Sequence, residues 1–117
     1  MQPAPIKPTI TLDDLRKIDI RLGTIESATE VDKSDKLVQL MVDFGDHKRC
    51  ILSGIKKERP TFKDLEGRQT LFVVNLPPRK MAGIVSEGML FDTGFADGIL
   101  PAIITPERVM PNGTRAE

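Results

Sequence analysis

An all-β barrel of five short strands, with one short helix between the third and fourth strands and an extension at each terminus, is the architecture this sequence predicts. Three patterns point to it: brief segments in which apolar and polar residues alternate, glycine-containing turns between them, and one stretch of helical composition ending at a glycine. With 117 residues the chain fits one domain, and its 39% apolar and 29% charged content belongs to a globular protein rather than a disordered one. A core this small gains from oligomerisation.

Residues 1–10, with prolines at 3, 5 and 8, read as a flexible extended arm, and residues 11–117 as the folded domain. Thr11 is placed as the N-cap of one or two helical turns carrying Asp13 and Asp14 at the positive end of the dipole. The first strand is Ile18 to Ala28, with Ile18, Ile20 and Leu22 on the apolar face and a bulge or bend expected at Gly23. Leu37 to Phe44 and Arg49 to Ser53 form a hairpin across Gly45-Asp-His-Lys48. A short helix near Thr61 to Leu65 ends at Gly67, and Gln69 to Asn75 and Glu87 to Asp92 supply strands four and five. Three strands, a helix and two strands match a Greek-key barrel of the OB type. Apolar residues from Ile99 to Ile104 lie beyond the fifth strand, so the C-terminal extension, from about residue 93, must dock on the barrel or on a second subunit.

The segment Asn75 to Met89 carries the strongest functional pattern. Pro77 and Pro78 stiffen the chain and remove two N–H donors, which predicts an irregular, rigid loop rather than regular structure. Asn75, Arg79, Lys80, Ser86 and Met89 are the residues it would display. An amide, two cations and a hydroxyl suit a phosphate-bearing partner, although a plain surface connection has the same composition. Net charge is zero, but nine Lys/Arg and only three Asp/Glu fall between Lys48 and Lys80, which focuses positive potential ahead of this loop.

Other chemistry is thinly represented. His47 reads as a turn histidine without an oriented partner, and one Cys with one His makes no zinc set. No Walker or Rossmann glycine pattern occurs, so neither an enzyme nor a bound cofactor or small-molecule substrate is expected. Cys50, in an apolar run, reads as a packed thiol, and a lone cysteine fits a reducing, cytoplasmic setting. No apolar run is long enough for a membrane span. The chain has no Trp or Tyr, and Phe44, Phe72 and Phe91 fall in predicted strands as core residues. Base stacking is therefore disfavoured against a grip on the backbone of a folded RNA.

Ile18-Asp-Ile-Arg-Leu-Gly-Thr-Ile25, Asp35-Lys-Leu37, Val42-Asp-Phe-Gly45, Leu52-Ser-Gly-Ile55, Asp64-Leu-Glu-Gly67 and the Asn75 to Met89 segment occur in one order. That succession resembles the structure-specific tRNA-binding domain of bacterial methionyl-tRNA synthetases, free-standing tRNA-binding proteins and the endothelial-monocyte-activating polypeptide II family. The resemblance runs from about Ile10 to Arg115. It implies a non-catalytic OB fold that dimerises through its terminal extensions and grips the outer corner of tRNA. It further implies direct roles for Asn75, Lys80, Ser86 and Met89, with Lys36 and Arg79 as supporting cations. Asn75 and Ser86 would bond to ribose or phosphate oxygens, and Lys80 would neutralise a phosphate. Family members commonly carry cations where this chain has Pro77 and Ala82. Pro77-Pro78 is also similar to the related secretion chaperone CsaA, whose ligands are unfolded polypeptides. A homodimer acting alone, or in trans as an accessory to methionyl-tRNA synthetase, is the expected form, and Met1 with its short arm favours an independent chain.

Overall fold

The computed structural model describes residues 1–117. Residues 1–10 have no regular structure and are exposed, touching the rest of the molecule where the Ala4 N–H donates to the Asp97 carboxylate. Helix α1, Leu12–Leu15, is a single turn whose Asp14 N–H is capped by the Thr11 hydroxyl at 3.1 Å. Leu12 and Leu15 remain exposed, so this turn buries no face against its own barrel.

Five strands make one antiparallel sheet in the order β3-β2-β1-β4-β7. They are β1 Ile20–Glu30, β2 Val38–Asp43, β3 Lys48–Ser53, β4 Gln69–Val73 and β7 Met89–Leu90. A separate two-stranded ribbon, β5 Arg79–Met81 with β6 Ile84–Ser86, lies between β4 and β7. Strand β2 follows the sequence pattern closely, with Val38, Leu40 and Val42 fully buried and the alternate positions half-buried. Phe44 and Phe72 meet edge-to-face at 5.6 Å inside the barrel, while the 3₁₀ turn Phe62–Leu65 plugs one end with Phe62 and Leu65. Burying each of those two side chains contributes about 1.5–3 kcal/mol.

Strand β1 departs from the sequence expectation in two ways. The register shift falls at Glu26, between Ile25 opposite Val42 and Ser27 opposite Met41, and not at Gly23. Gly23 serves close packing instead, since a β-carbon there would lie 2.5 Å from Val42 Cγ1 and 2.9 Å from Phe44 Cε1. The barrel interior therefore receives Gly23 and Ile25, and Ala28 after the bulge, rather than Ile18, Ile20 and Leu22. Leu22 is buried from outside by the C-terminal segment: its N–H donates to Thr114 O at 2.9 Å and its carbonyl accepts from Gly113 N–H at 2.8 Å. Glu66 completes the bulged region, accepting the Ala28 N–H at 2.9 Å, a bond that holds its carboxyl below the usual range.

The C-terminal extension docks on its own barrel. Ile103 packs against the core, the Thr70 hydroxyl donates to Ile104 O at 3.0 Å, and Ala116 N–H donates to Ile20 O at 2.8 Å. The Gln69 amide binds both ways, donating to Met110 O at 2.6 Å and accepting from Met110 N–H at 3.2 Å. Phe91, expected in the core, instead lines an open groove with Leu12, Leu15 and Ile18, because its neighbour Leu90 takes the inward-facing position.

Candidate nucleic-acid interface

The segment after β4 is more regular than its prolines suggest. Pro77 and Pro78 remove donors only at their own positions, and from Arg79 the chain pairs as a hairpin, Arg79 with Ser86, Lys80 with Val85 and Met81 with Ile84. Ala82 at φ 49° and Gly83 at φ 81° form its two-residue turn, both in the left-handed conformation that matches strand twist. The expectation of an irregular loop is thus corrected to a stiff ribbon projecting from the sheet.

Its roots are fixed by side chains that the sequence had assigned to the ligand. Asn75 is exposed, yet its Oδ1 accepts the Asp19 N–H at 2.9 Å and its Nδ2 donates to Lys17 O at 2.6 Å. Ser86 is only 2% exposed; its Oγ accepts the Leu52 N–H at 2.9 Å and donates to Gly88 O at 3.2 Å. With Glu87 N–H donating to Cys50 O at 2.9 Å, the Ser86 hydroxyl closes the barrel seam along β3. Both polar groups meet the chain's own backbone; Ser86 is buried with its donor and acceptor engaged, while the exposed Asn75 amide keeps a second N–H and a second lone pair.

Arg79 and Lys80 are exposed and form no ion pair, and the pairing puts Lys80 on the ribbon face shared with Val85. Met89 is half-exposed on β7, opposite Val73. Lys36 is exposed and also unpaired, but stands off the ribbon ahead of β2. Most lysines of the basic stretch are answered by carboxylates from outside it: Lys48 by Glu26 at 3.0 Å, Lys56 by Glu30 and Lys57 by Asp35, both at 3.6 Å. The charge asymmetry seen along the sequence is therefore partly cancelled in space, and the ribbon retains two uncommitted cations.

One residue escaped the sequence reading. Arg49 on β3 donates from Nη1 to Val74 O at 2.8 Å and to Glu87 O at 3.2 Å, and from Nε to His47 Nε2 at 2.9 Å. His47 is thereby oriented by partners on both sides, its Nδ1 lying 2.6 Å from Asp46 Oδ1. Only the basic run containing Arg49 could have hinted at this. Cys50 is half-buried, and burial pushes its thiol above the ordinary value, which disfavours the reactive thiolate. No group of three His, Cys, Asp or Glu side chains is placed to hold a metal ion, and no helix is long and apolar enough to cross a membrane.

Asp19 ties three segments together. Its carboxylate receives Arg21 Nε at 3.0 Å and Arg115 Nε at 3.2 Å, while its backbone holds Asn75 and Val74. The Arg21 bond, assisted by Arg115 and opposed by burial, keeps the carboxyl below its free value of 3.8. A depressed folded-state pKa contributes stability that is complete above the free value and is lost as pH falls through the lowered one. Hydrogen exchange at Ala116 N–H, measured against the intrinsic amide rate at each pH, should therefore accelerate only below about pH 4. Asp19→Asn should bring that acceleration to neutral pH, and unchanged protection in the variant would rule out the ion pair as the tail's anchor.

A curled five-stranded antiparallel sheet that carries a cationic ribbon between its fourth and fifth strands has the architecture of the OB class. The family described as "Putative tRNA binding domain" matches residues 20–115, and the chain belongs to it. It is 44% identical over 113 residues to a methionine–tRNA ligase from Parabacteroides distasonis, covering 97% of this chain and 16% of that protein. A second methionine–tRNA ligase, from Porphyromonas gingivalis, is 44% identical over 94% of this chain and 16% of its own length. The chain thus spans about one sixth of those relatives. Among solved structures, a MetRS related protein from Pyrococcus horikoshii matches with a TM-score of 0.86 and 33% identity, covering 95% of this chain and all of that one. The chaperone CsaA from Bacillus anthracis matches with a TM-score of 0.81 and 30% identity, over 94% and 100% of the two chains.

Proposed function

We propose that this chain binds folded tRNA through its backbone, with Arg79 and Lys80 of the ribbon and Lys36 beside β2 meeting phosphates, and Met89 supplying an adaptable apolar contact. Asn75 and Ser86 act one step back, holding the ribbon's roots. The observation that carries this reading is the pair of cations without carboxylate partners on a ribbon anchored at both ends, in a member of a tRNA-binding domain family. Binding to mixed tRNA should weaken steeply with salt, and Lys80→Ala should flatten the log–log slope by about one unit. Equal affinity at about 50 and about 500 mM salt would exclude a phosphate grip.

A homodimer is part of the proposal, seated on the groove where Leu12, Leu15, Ile18 and Phe91 stand exposed around terminal segments. Sedimentation across a range of concentrations tests it, and a monomer throughout would remove it. Its relatives include methionine–tRNA ligases, and we place its action in the cytoplasm, beside such an enzyme or on tRNA alone; co-purification of a synthetase from native cells tests the first. A second reading, a chaperone for unfolded polypeptides, is favoured by the matches to CsaA at TM-scores of 0.81 and 0.79. Suppression of client aggregation without salt-sensitive tRNA binding would select it.

A further inference from the structure

We infer that Arg49 is a positioning residue for the ribbon, a single guanidinium that fastens its entry and its exit to the same point on β3. Resting on the tRNA-binding reading, this assigns Arg49 a part in affinity without any contact to RNA. The ribbon leaves the sheet after Val74 and returns at Glu87, and Arg49 Nη1 donates to the carbonyls of both, at 2.8 and 3.2 Å. Those two carbonyls flank the whole projecting segment, so the bond pair closes its base as a clasp would. β5 and β6 pair only with each other and not with the five-stranded sheet, which leaves the ribbon's angle to be set at its base.

The guanidinium is itself held from two further directions. His47 Nε2 accepts from its Nε at 2.9 Å, and its carbon lies 5.8 Å from the centre of the Phe44 ring, which His47 also stacks against at 5.5 Å. A planar five-donor group is required for this, because a lysine ammonium could not serve both carbonyls and the imidazole while resting on the ring. No carboxylate pairs with Arg49, so its charge is answered only by carbonyl and imidazole dipoles and by the ring face. The placement is specific to holding backbone.

Two independent readouts test the assignment, one without RNA. In Arg49→Met, amide hydrogen exchange across residues 79–86 should speed up several-fold while β1 and β2 keep their protection. Its tRNA affinity should drop by about tenfold, the scale of losing one or two charge-assisted hydrogen bonds. The salt slope should stay at the wild-type value, because no phosphate contact is removed. Arg49→Lys should recover only part of both effects. Unchanged exchange in the ribbon would overturn the proposal, as would a slope reduced by about one unit with exchange unaffected, the sign of a direct phosphate contact. If Arg49→Met does not fold, His47→Phe, which keeps a ring over Phe44 but removes the acceptor, should produce a smaller change of the same kind; none in either readout would likewise overturn it. Should the wild-type chain fail to bind tRNA, the functional reading falls alone, and the exchange experiment still decides the clasp.

Discussion

Ser86→Ala should lower the free energy of unfolding by about 1–3 kcal/mol, the cost of leaving a buried donor without its acceptor. The hydroxyl stands on the seam where side chains help to close the barrel along β3. On the β3 edge the Leu52 N–H has Ser86 Oγ as its partner, and Gly88 O accepts the hydroxyl proton in turn. At 2% exposure the site gives water little access to either group. Urea denaturation of the variant beside wild type reads the loss directly. Because the same seam holds the exit of the ribbon, tRNA affinity should fall with it although Ser86 is buried. A shift below about 0.5 kcal/mol, within the usual range of surface substitutions, would show that the seam does not depend on this bond.

Gly23→Ala should be comparably damaging for a steric reason. The new methyl would be placed 2.5 Å from Val42 Cγ1 and 2.9 Å from Phe44 Cε1, inside a core with no slack on either side. Overpacking of this kind costs typically about 1–3 kcal/mol. The pair Gly23→Ala with Val42→Ala provides the sharper test, since removing the clashing methyl should make the double variant more stable than the sum of the single losses predicts. Strict additivity would mean that the strand shifts aside without strain.

Strand β2 was legible because its buried positions alternate, whereas β3 and β4, which bury Ile51 with Leu52 and Phe72 with Val73, were legible as short apolar runs between turn signals. β1 was harder for a physical reason: the barrel covers one face and the C-terminal segment covers the other, so Leu22 and Ile25 both look inward-facing although they point apart. The ribbon was hidden by Pro77 and Pro78, whose missing donors were read as forbidding structure well beyond their own positions. The residue types at 75 and 86 were recognisable as special, but an amide or hydroxyl does not disclose whether its partner is a ligand or its own backbone. Asn75 and Ser86 proved to hold backbone. Arg49 looked like one more cation in a basic run, since only the fold brings residues 74 and 87 to it.

The Asn75 amide has a thermodynamic consequence. It fastens the ribbon's entry to Lys17 and Asp19, the same segment whose Leu12 and Leu15 face the open groove. Two binding events that share a structural element are coupled, and the coupling is reciprocal: a factor gained by one is gained by the other. A second protomer seated on those leucines would steady residues 17–19 and thereby raise affinity for tRNA, while tRNA would strengthen self-association by an equal factor. The apparent dissociation constant for tRNA should then fall as protein concentration rises through the dimerisation range, and Asn75→Ala should abolish that dependence while also weakening tRNA binding itself, since one root of the ribbon is released.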